Sequence, residues 1–268
     1  MSNKVLEKTL NNVDKQDMNA GWASGQSSAQ GAALADQTFN YSGPTSSGTD
    51  VMTTGGAARA ALALFAIIVA TGTWAWVSVP EDKQVLAMIG GILVALGFGL
   101  ITTFKPKIAR ITAPLFAVAE GIALGVISKL YESYYDGIVV QAILATASIV
   151  FVMYTLYATG VIKVTPKFRK IVIGATMAIF VFYMLNFVLG FLNVDLPLIG
   201  DTGPMGIIFS LVVIVIAASN LALDFDFIER GSQAGLPKYM NWAAGYGLAV
   251  TVVWIYLEVL RLLSKIRN

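Results

Sequence analysis

Seven apolar stretches, each close to the roughly 20 residues a helix needs to cross a bilayer, dictate what this chain can become. They lie at about 58–79, 84–104, 111–130, 138–160, 171–192, 206–228 and 242–263. Inside hydrocarbon there is no water to satisfy backbone N–H and C=O groups, so stretches of this length cross as helices. The connections between them are short. The expected fold is therefore all-α: a polytopic membrane protein with one seven-transmembrane-helix bundle over residues 58–263. Composition agrees, since only 13% of residues are charged, against roughly 25% in a soluble domain.

The rest of the chain is polar. Residues 1–57 are rich in Gly, Ser, Ala and Asn and contain no apolar core or cleavage pattern. They are expected to form a disordered N-terminal tail, because such a segment cannot bury enough surface to offset its ordering entropy. Residues 264–268 form a short basic C-terminal tail. The net charge of +2 is too small to suggest a nucleic-acid partner. The chain has no cysteine and no histidine. That removes disulfides, thiolate chemistry, the usual transition-metal ligands and the usual pH switch. No cofactor is expected, and any pH sensing near neutrality falls to carboxylates.

Charge alternates between successive connectors. Lys105, Lys107, Arg110, Lys163, Lys167, Arg169, Lys170, Arg230 and Lys238 mark one side. Glu81, Asp82, Glu132, Asp136, Asp195 and Asp201 mark the other, with Lys83 and Lys129. Basic loops stay in the cytoplasm, so the expected location is the cell membrane (a bacterial inner membrane) with the N-terminus inside. Seven crossings put the C-terminus outside, which the basic Arg261, Lys265 and Arg267 oppose.

Four acids fall inside the apolar runs: Glu120, Asp224, Asp226 and Glu258. A carboxylate at bilayer depth is costly, which makes each a functional candidate. No lysine or arginine lies deep in the runs, so the acids are expected to lack buried cationic partners. Asn220 lies one helical turn before Asp224 on the same face, where its amide can orient the carboxylate or add a neutral oxygen. Asp226 points roughly 200° away from Asp224, and a surface pair with Arg230 is its ordinary explanation. A helical pair with Arg261 is the ordinary explanation of Glu258. For Glu120 a neutral carboxyl hydrogen-bonded to a neighbouring helix weighs evenly against a functional role. Gly121 and Gly125 form a small-xxx-small pattern, a helix-packing signal. Two carboxylates brought together share a proton, forming a latch that opens by repulsion when it is lost. Ionised, they offer oxygens suited to Ca²⁺.

AEGIALG around Glu120, NLALDFDFIERG around Asp224 and WIYLEVLRLL around Glu258 together resemble the transmembrane Bax inhibitor motif family, also called the Bax-inhibitor/YccA-like family, as a bacterial-type member. The resemblance covers about residues 58–263. It implies six helices around a central C-terminal helix. It also implies a pH-sensitive cation leak, with calcium as the best-known ion. The family's aspartate dyad between the sixth and seventh helices carries over to Asp224 and Glu258, the latter standing where the family has a second aspartate. Those two residues are then the metal or ion ligands and pH sensor, with Glu120 also on the ion pathway. Gly121 matches the glycine that follows the family's glutamate, and Asn220 and Asp226 are supporting residues. The same resemblance allows a non-conducting regulator that binds another membrane protein, such as a membrane-bound protease. An enzyme is not expected, because the two acids lie in no intramembrane-protease motif.

Depth opposes the latch. In a plain antiparallel hairpin Asp224 lies near the turn, and Glu258 sits about 24 Å into the last helix. Pairing needs either an irregular start to that helix, through GSQAGLPKYMNWAAGYG, or a C-terminus on the cytoplasmic side.

Overall fold

The computed structural model describes residues 50–190 and 201–268. Most of the expected tail (residues 1–49), and Asp195 in its connector, lie outside them. Seven helices long and apolar enough to cross a membrane are present. They are α1 (Thr54–Ser78), α2 (Gln84–Phe104), α3 (Ala109–Tyr134), α4 (Ile138–Ala158), α5 (Pro166–Gly190), α6 (Pro204–Gln233) and α7 (Met240–Arg267). The described connections between them are short and include tight turns. Gly137, for example, adopts a left-handed φ of 74° before α4. There the Glu132 carboxylate accepts from the Gly137 and Val139 amides at 2.7 and 3.0 Å, so this connector acid caps a helix start.

The chain becomes ordered before the expected boundary at residue 58. The Thr53 hydroxyl accepts from the Gly56 amide, capping α1 four residues earlier than hydropathy alone indicates. Just before it, Met52 donates its amide to the Leu236 carbonyl at 2.6 Å and buries its side chain against Ala57, Ile228, Leu236 and Ala244. Residues 50–57 thus belong to the bundle. A single methionine anchor with two backbone ties is enough to order them, although their composition reads as tail. The C-terminal tail is corrected in the same way. It continues α7, with Lys265 buried and its Nζ donating to the Gly206 carbonyl at 3.0 Å.

α7 is the central helix. It packs against α1, α2, α3, α4 and α6, and Tyr183 of α5 reaches it by a hydrogen bond. Its residues enter both large core clusters, with Ala249 and Val253 in one and Ile255, Val259 and Leu260 in the other. α3 is also strongly enclosed, and small residues make this enclosure close. A Cβ on Gly125 would strike the Gly72 backbone of α1, and one on Gly121 would strike Ile68 and Thr71. On the opposite side of α3, a Cβ on Gly91 of α2 would lie 2.9 Å from the Ala119 carbonyl. In lipid, where apolar burial between helices gives little drive, this backbone approach supplies the dispersion contact. Gly90 and Gly97, by contrast, have nothing within contact distance and contribute no such packing.

α7 extends from one end of the bundle to the other. Its first turn lies by the α6–α7 connector, where the Lys238 amide bonds the Asp50 carbonyl. Its last turn is fastened at the other end, where Arg267 donates to the Asp136 carbonyl and to Gln141, each at 2.8 Å. The irregular start to the last helix and the returned C-terminus are therefore both overturned. The basic residues at the C-terminus are spent on backbone and side-chain oxygens at that end, so they no longer argue for the basic side.

Candidate functional site

The four intramembrane acids divide into two kinds. Asp226 and Glu258 have arginine partners, Arg230 and Arg261 among them as their helical spacing allowed. The Asp226 carboxylate is buried and takes Arg169 Nη2 of α5 at 2.6 Å and Arg230 Nε of its own helix at 2.8 Å. Arg230 also donates to the Val164 carbonyl at 3.3 Å, so this knot ties the α4–α5 connector to α6. The i, i+4 spacing identified one arginine. The other comes from a different helix and has no sequence signal.

Glu258 is wholly buried on α7. Its Oε2 accepts from Arg261 Nη1 and from the Tyr183 hydroxyl, the latter at 2.9 Å. Arg261 also donates to the Tyr183 oxygen at 2.7 Å and lies 5.0 Å from the centre of the tyrosine ring. The i, i+3 spacing offers this pair as the ordinary explanation of Glu258, and it is formed. In the helix Arg261 lies two turns from the end and lays its stem along the bundle. The other oxygen, Glu258 Oε1, is buried with no partner among the described residues.

Asp224 and Glu120 are the second kind. Among the described residues neither has an ion pair. Asp224 Oδ2 accepts from the Thr251 hydroxyl of α7 at 2.6 Å. Thr251 also lies 3.2 Å from the Gly247 carbonyl. Gly247 lies beside the carboxylate, where a Cβ would sit in ordinary contact 3.6 Å from Asp224 Oδ1. Asp224 therefore rests against one turn of α7, residues 247–251. Glu120 lies half-buried on α3, eleven residues into its helix, as Thr251 is into α7. Both start from the same end of the bundle, so the two groups share a depth of about 16 Å at 1.5 Å per residue. Its neighbour Gly121 serves the α1–α3 contact.

The proposed carboxylate pair is not formed. Thr251, the partner of Asp224, precedes Glu258 by seven residues, or about 10 Å along α7, and Glu258 is held by Arg261 and Tyr183. The two acids are thus held at different levels of α7 by different partners. Among the described residues no three acidic, histidine or cysteine side chains gather as a metal site. Asn220 does not take up the orienting one of its two expected roles through its amide nitrogen. Its Nδ2 donates to Thr176 of α5 at 2.8 Å and to the Ile216 carbonyl at 2.9 Å, and so ties helices instead of orienting Asp224.

Sequence reasoning missed Thr251, Tyr183 and Thr176. A threonine in an apolar helix usually bonds its own preceding turn, so nothing marked Thr251 or Thr176. Tyr183 did carry a signal, because it lies well inside its apolar run and not at the interfacial edge where tyrosine is at home. Chemically, the site offers an unneutralised carboxylate, a hydroxyl and a backbone carbonyl at one level between two helices, with a second unneutralised carboxylate on a third. No curated protein and no solved structure matches the chain. A family model described as Bax inhibitor 1 like matches residues 3–268.

Proposed function

Because this chain belongs to the Bax inhibitor 1 like family, we propose that it is a non-enzymatic, pH-sensitive cation leak of the cell membrane, with calcium its preferred ion. One observation supports this above the others. Of the four acids inside the bundle, Asp226 and Glu258 are neutralised by arginine, whereas Asp224 and Glu120 are left without a cation among the described residues. An unneutralised carboxylate in a membrane bundle is retained at a cost, and attracting a mobile cation accounts for that cost. Calcium suits a set made only of oxygens. The pH response rests with carboxylates because the chain has no histidine. The closed contact is Asp224 on Thr251, which joins α6 to α7, in place of a carboxylate pair.

The test is dye-reported calcium entry into proteoliposomes across a pH series. Thr251→Val keeps the shape of the side chain and removes the bond to Asp224. Its flux is expected to exceed wild type by about fivefold, the equivalent of one hydrogen bond worth about 1 kcal/mol. Wild-type flux no greater than that of empty vesicles at every pH would overturn the leak in favour of a non-conducting regulator.

The orientation belongs to the same proposal. The end bearing Lys105, Lys107, Lys163, Lys167 and Lys170 faces the cytoplasm, and with it the start of α1. In a chain without native cysteine, Lys163→Cys is expected to label only from inside and Asn268→Cys only from outside. Labelling of both from one side contradicts this orientation.

A further inference from the structure

The four residues before α1 do more than start a helix. They lie across the α6–α7 connector and are tied to it one after another. The Lys238 amide donates to the Asp50 carbonyl at 2.9 Å, and Val51 pairs with Pro237 as an antiparallel bridge. The Met52 amide donates to the Leu236 carbonyl at 2.6 Å, and the Thr53 amide donates to Asn241 Oδ1 at 3.1 Å. α1 needs none of these bonds for its own start, because the Thr53 hydroxyl already caps it. The ties act on the connector, and what they hold in place is the Met52 side chain.

Met52 is 1% exposed. A Cβ on Gly231 of α6 would come within 2.9 Å of its sulfur, and the side chain packs on Ala57 of α1 and Ala244 of α7. Gly231 lies seven residues after Asp224, and Ala244 seven before Thr251. Seven residues are close to two turns, about 10 Å, so each pair shares a face of its helix. Asp224 and Thr251 bond each other across the α6–α7 seam. Met52 therefore fills that same seam two turns nearer the connector. Small residues in a helix seam normally let two backbones close on each other. Here the space left by Gly231 and Ala244 is taken by an adaptable thioether chain. It belongs to neither helix and sits on a strap outside both, so it can leave the seam with α6 and α7 intact.

We propose that Met52 is the stopper of the leak at this end of the bundle. While residues 50–53 are seated on the connector, Met52 shuts the α6–α7 seam between the connector and the unneutralised Asp224. A cation reaches Asp224 from that end when the strap lifts. An apolar side chain suits the task, because it offers a dehydrated ion no ligand. The stopper lies in series with the Asp224–Thr251 contact. This deepens the leak reading and rests on it for what passes, whereas the closure of the seam is a separate claim.

Calcium flux into proteoliposomes and access to the seam are measured on the same variants. Met52→Ala is expected to raise flux about tenfold or more, the shift that follows when the closed state loses a contact the open state lacks. Met52→Leu conserves volume and is expected to stay close to wild type. Adding Asp224→Asn to Met52→Ala is expected to abolish the gain. A gain that survives it means a generally loosened bundle and overturns the proposal. Should Met52→Ala not fold, Gly231→Ala presses on the Met52 sulfur from α6 and is expected to raise flux by a smaller factor. Access is read without flux. Gly247, beside the Asp224 carboxylate, is replaced by cysteine in this chain without native cysteine. A membrane-impermeant, cationic methanethiosulfonate is then applied to the protein in nanodiscs. Gly247→Cys is expected to react about tenfold faster beside Met52→Ala than beside Met52, because a thiol shut in apolar surroundings does not ionise. Equal rates overturn the stopper, whether or not calcium flows. Calcium flux with equal rates, unchanged by Met52→Ala, keeps the leak and removes the stopper. Faster reaction without flux in any variant keeps the stopper and removes the leak.

Discussion

Asp224→Asn is expected to lower cation flux to about one tenth of wild type or less, the factor equivalent to losing about 1.4 kcal/mol of carboxylate–cation attraction. It is also expected to flatten the dependence of flux on pH. The substitution is nearly isosteric, and its amide still meets the Thr251 hydroxyl, which lies 2.6 Å from the carboxylate. The α6–α7 contact therefore survives while the charge does not. That separates this variant from Thr251→Val, which keeps the charge and removes the contact, so the two are expected to move flux in opposite directions. Glu120→Gln is the comparison for charge alone. Glu120 lies on α3 at matching depth and has no hydrogen bond or ion pair among the described residues, so removing its charge breaks no tie. Proteoliposome flux at several pH values measures all three. An Asp224→Asn protein with wild-type flux and an unchanged pH profile would show that this carboxylate is not on the path.

The apolar runs carried the fold because they answer a one-dimensional question, namely whether a segment is long enough and apolar enough to cross. Its limits appear where one residue outweighs composition. Met52 orders a stretch that reads as tail, because its burial between α1 and the α6–α7 turn is a tertiary fact. Lys265 reads as a soluble end and is buried against the Gly206 carbonyl. Within the site, the acids were visible as residues and their partners were not. The pairs Asp226–Arg230 and Glu258–Arg261 are local in sequence and could be read from helical spacing. Asp226–Arg169, Asn220–Thr176, Glu258–Tyr183 and Asp224–Thr251 join different helices, and which faces meet depends on rotations that hydropathy does not encode. The depth count set Asp224 near the turn, whereas α6 runs on to Gln233 and Asp224 meets α7 at Thr251, seven residues before Glu258. No periodicity could have supplied Thr251 as its partner.

Arg261→Ala is expected to be the most destabilising single change at the site. Its removal leaves Glu258 wholly buried with only the Tyr183 hydroxyl as a donor. Breaking a buried ion pair by deleting one partner costs about 3–5 kcal/mol. The Arg261 side chain is 31% exposed, against 1% for Glu258, which places the expected loss at the low end, about 3 kcal/mol. The same exposures make the reverse change cheaper. After Glu258→Gln the guanidinium is six residues from the helix end, about 9 Å, and can extend toward the interface. The glutamine also still accepts from Tyr183, so the expected cost is about 1 kcal/mol. The double variant Glu258→Gln with Arg261→Ala has no buried charge to strand. It is expected to be more stable than Arg261→Ala alone, which is non-additivity of the sign that coupled neighbours give. Thermal unfolding of the purified proteins in one detergent ranks the set: wild type above Glu258→Gln, the double variant below these, and Arg261→Ala lowest. Equal losses from the two single changes would mean that Glu258 reaches water in this state, with Arg261 lending it little.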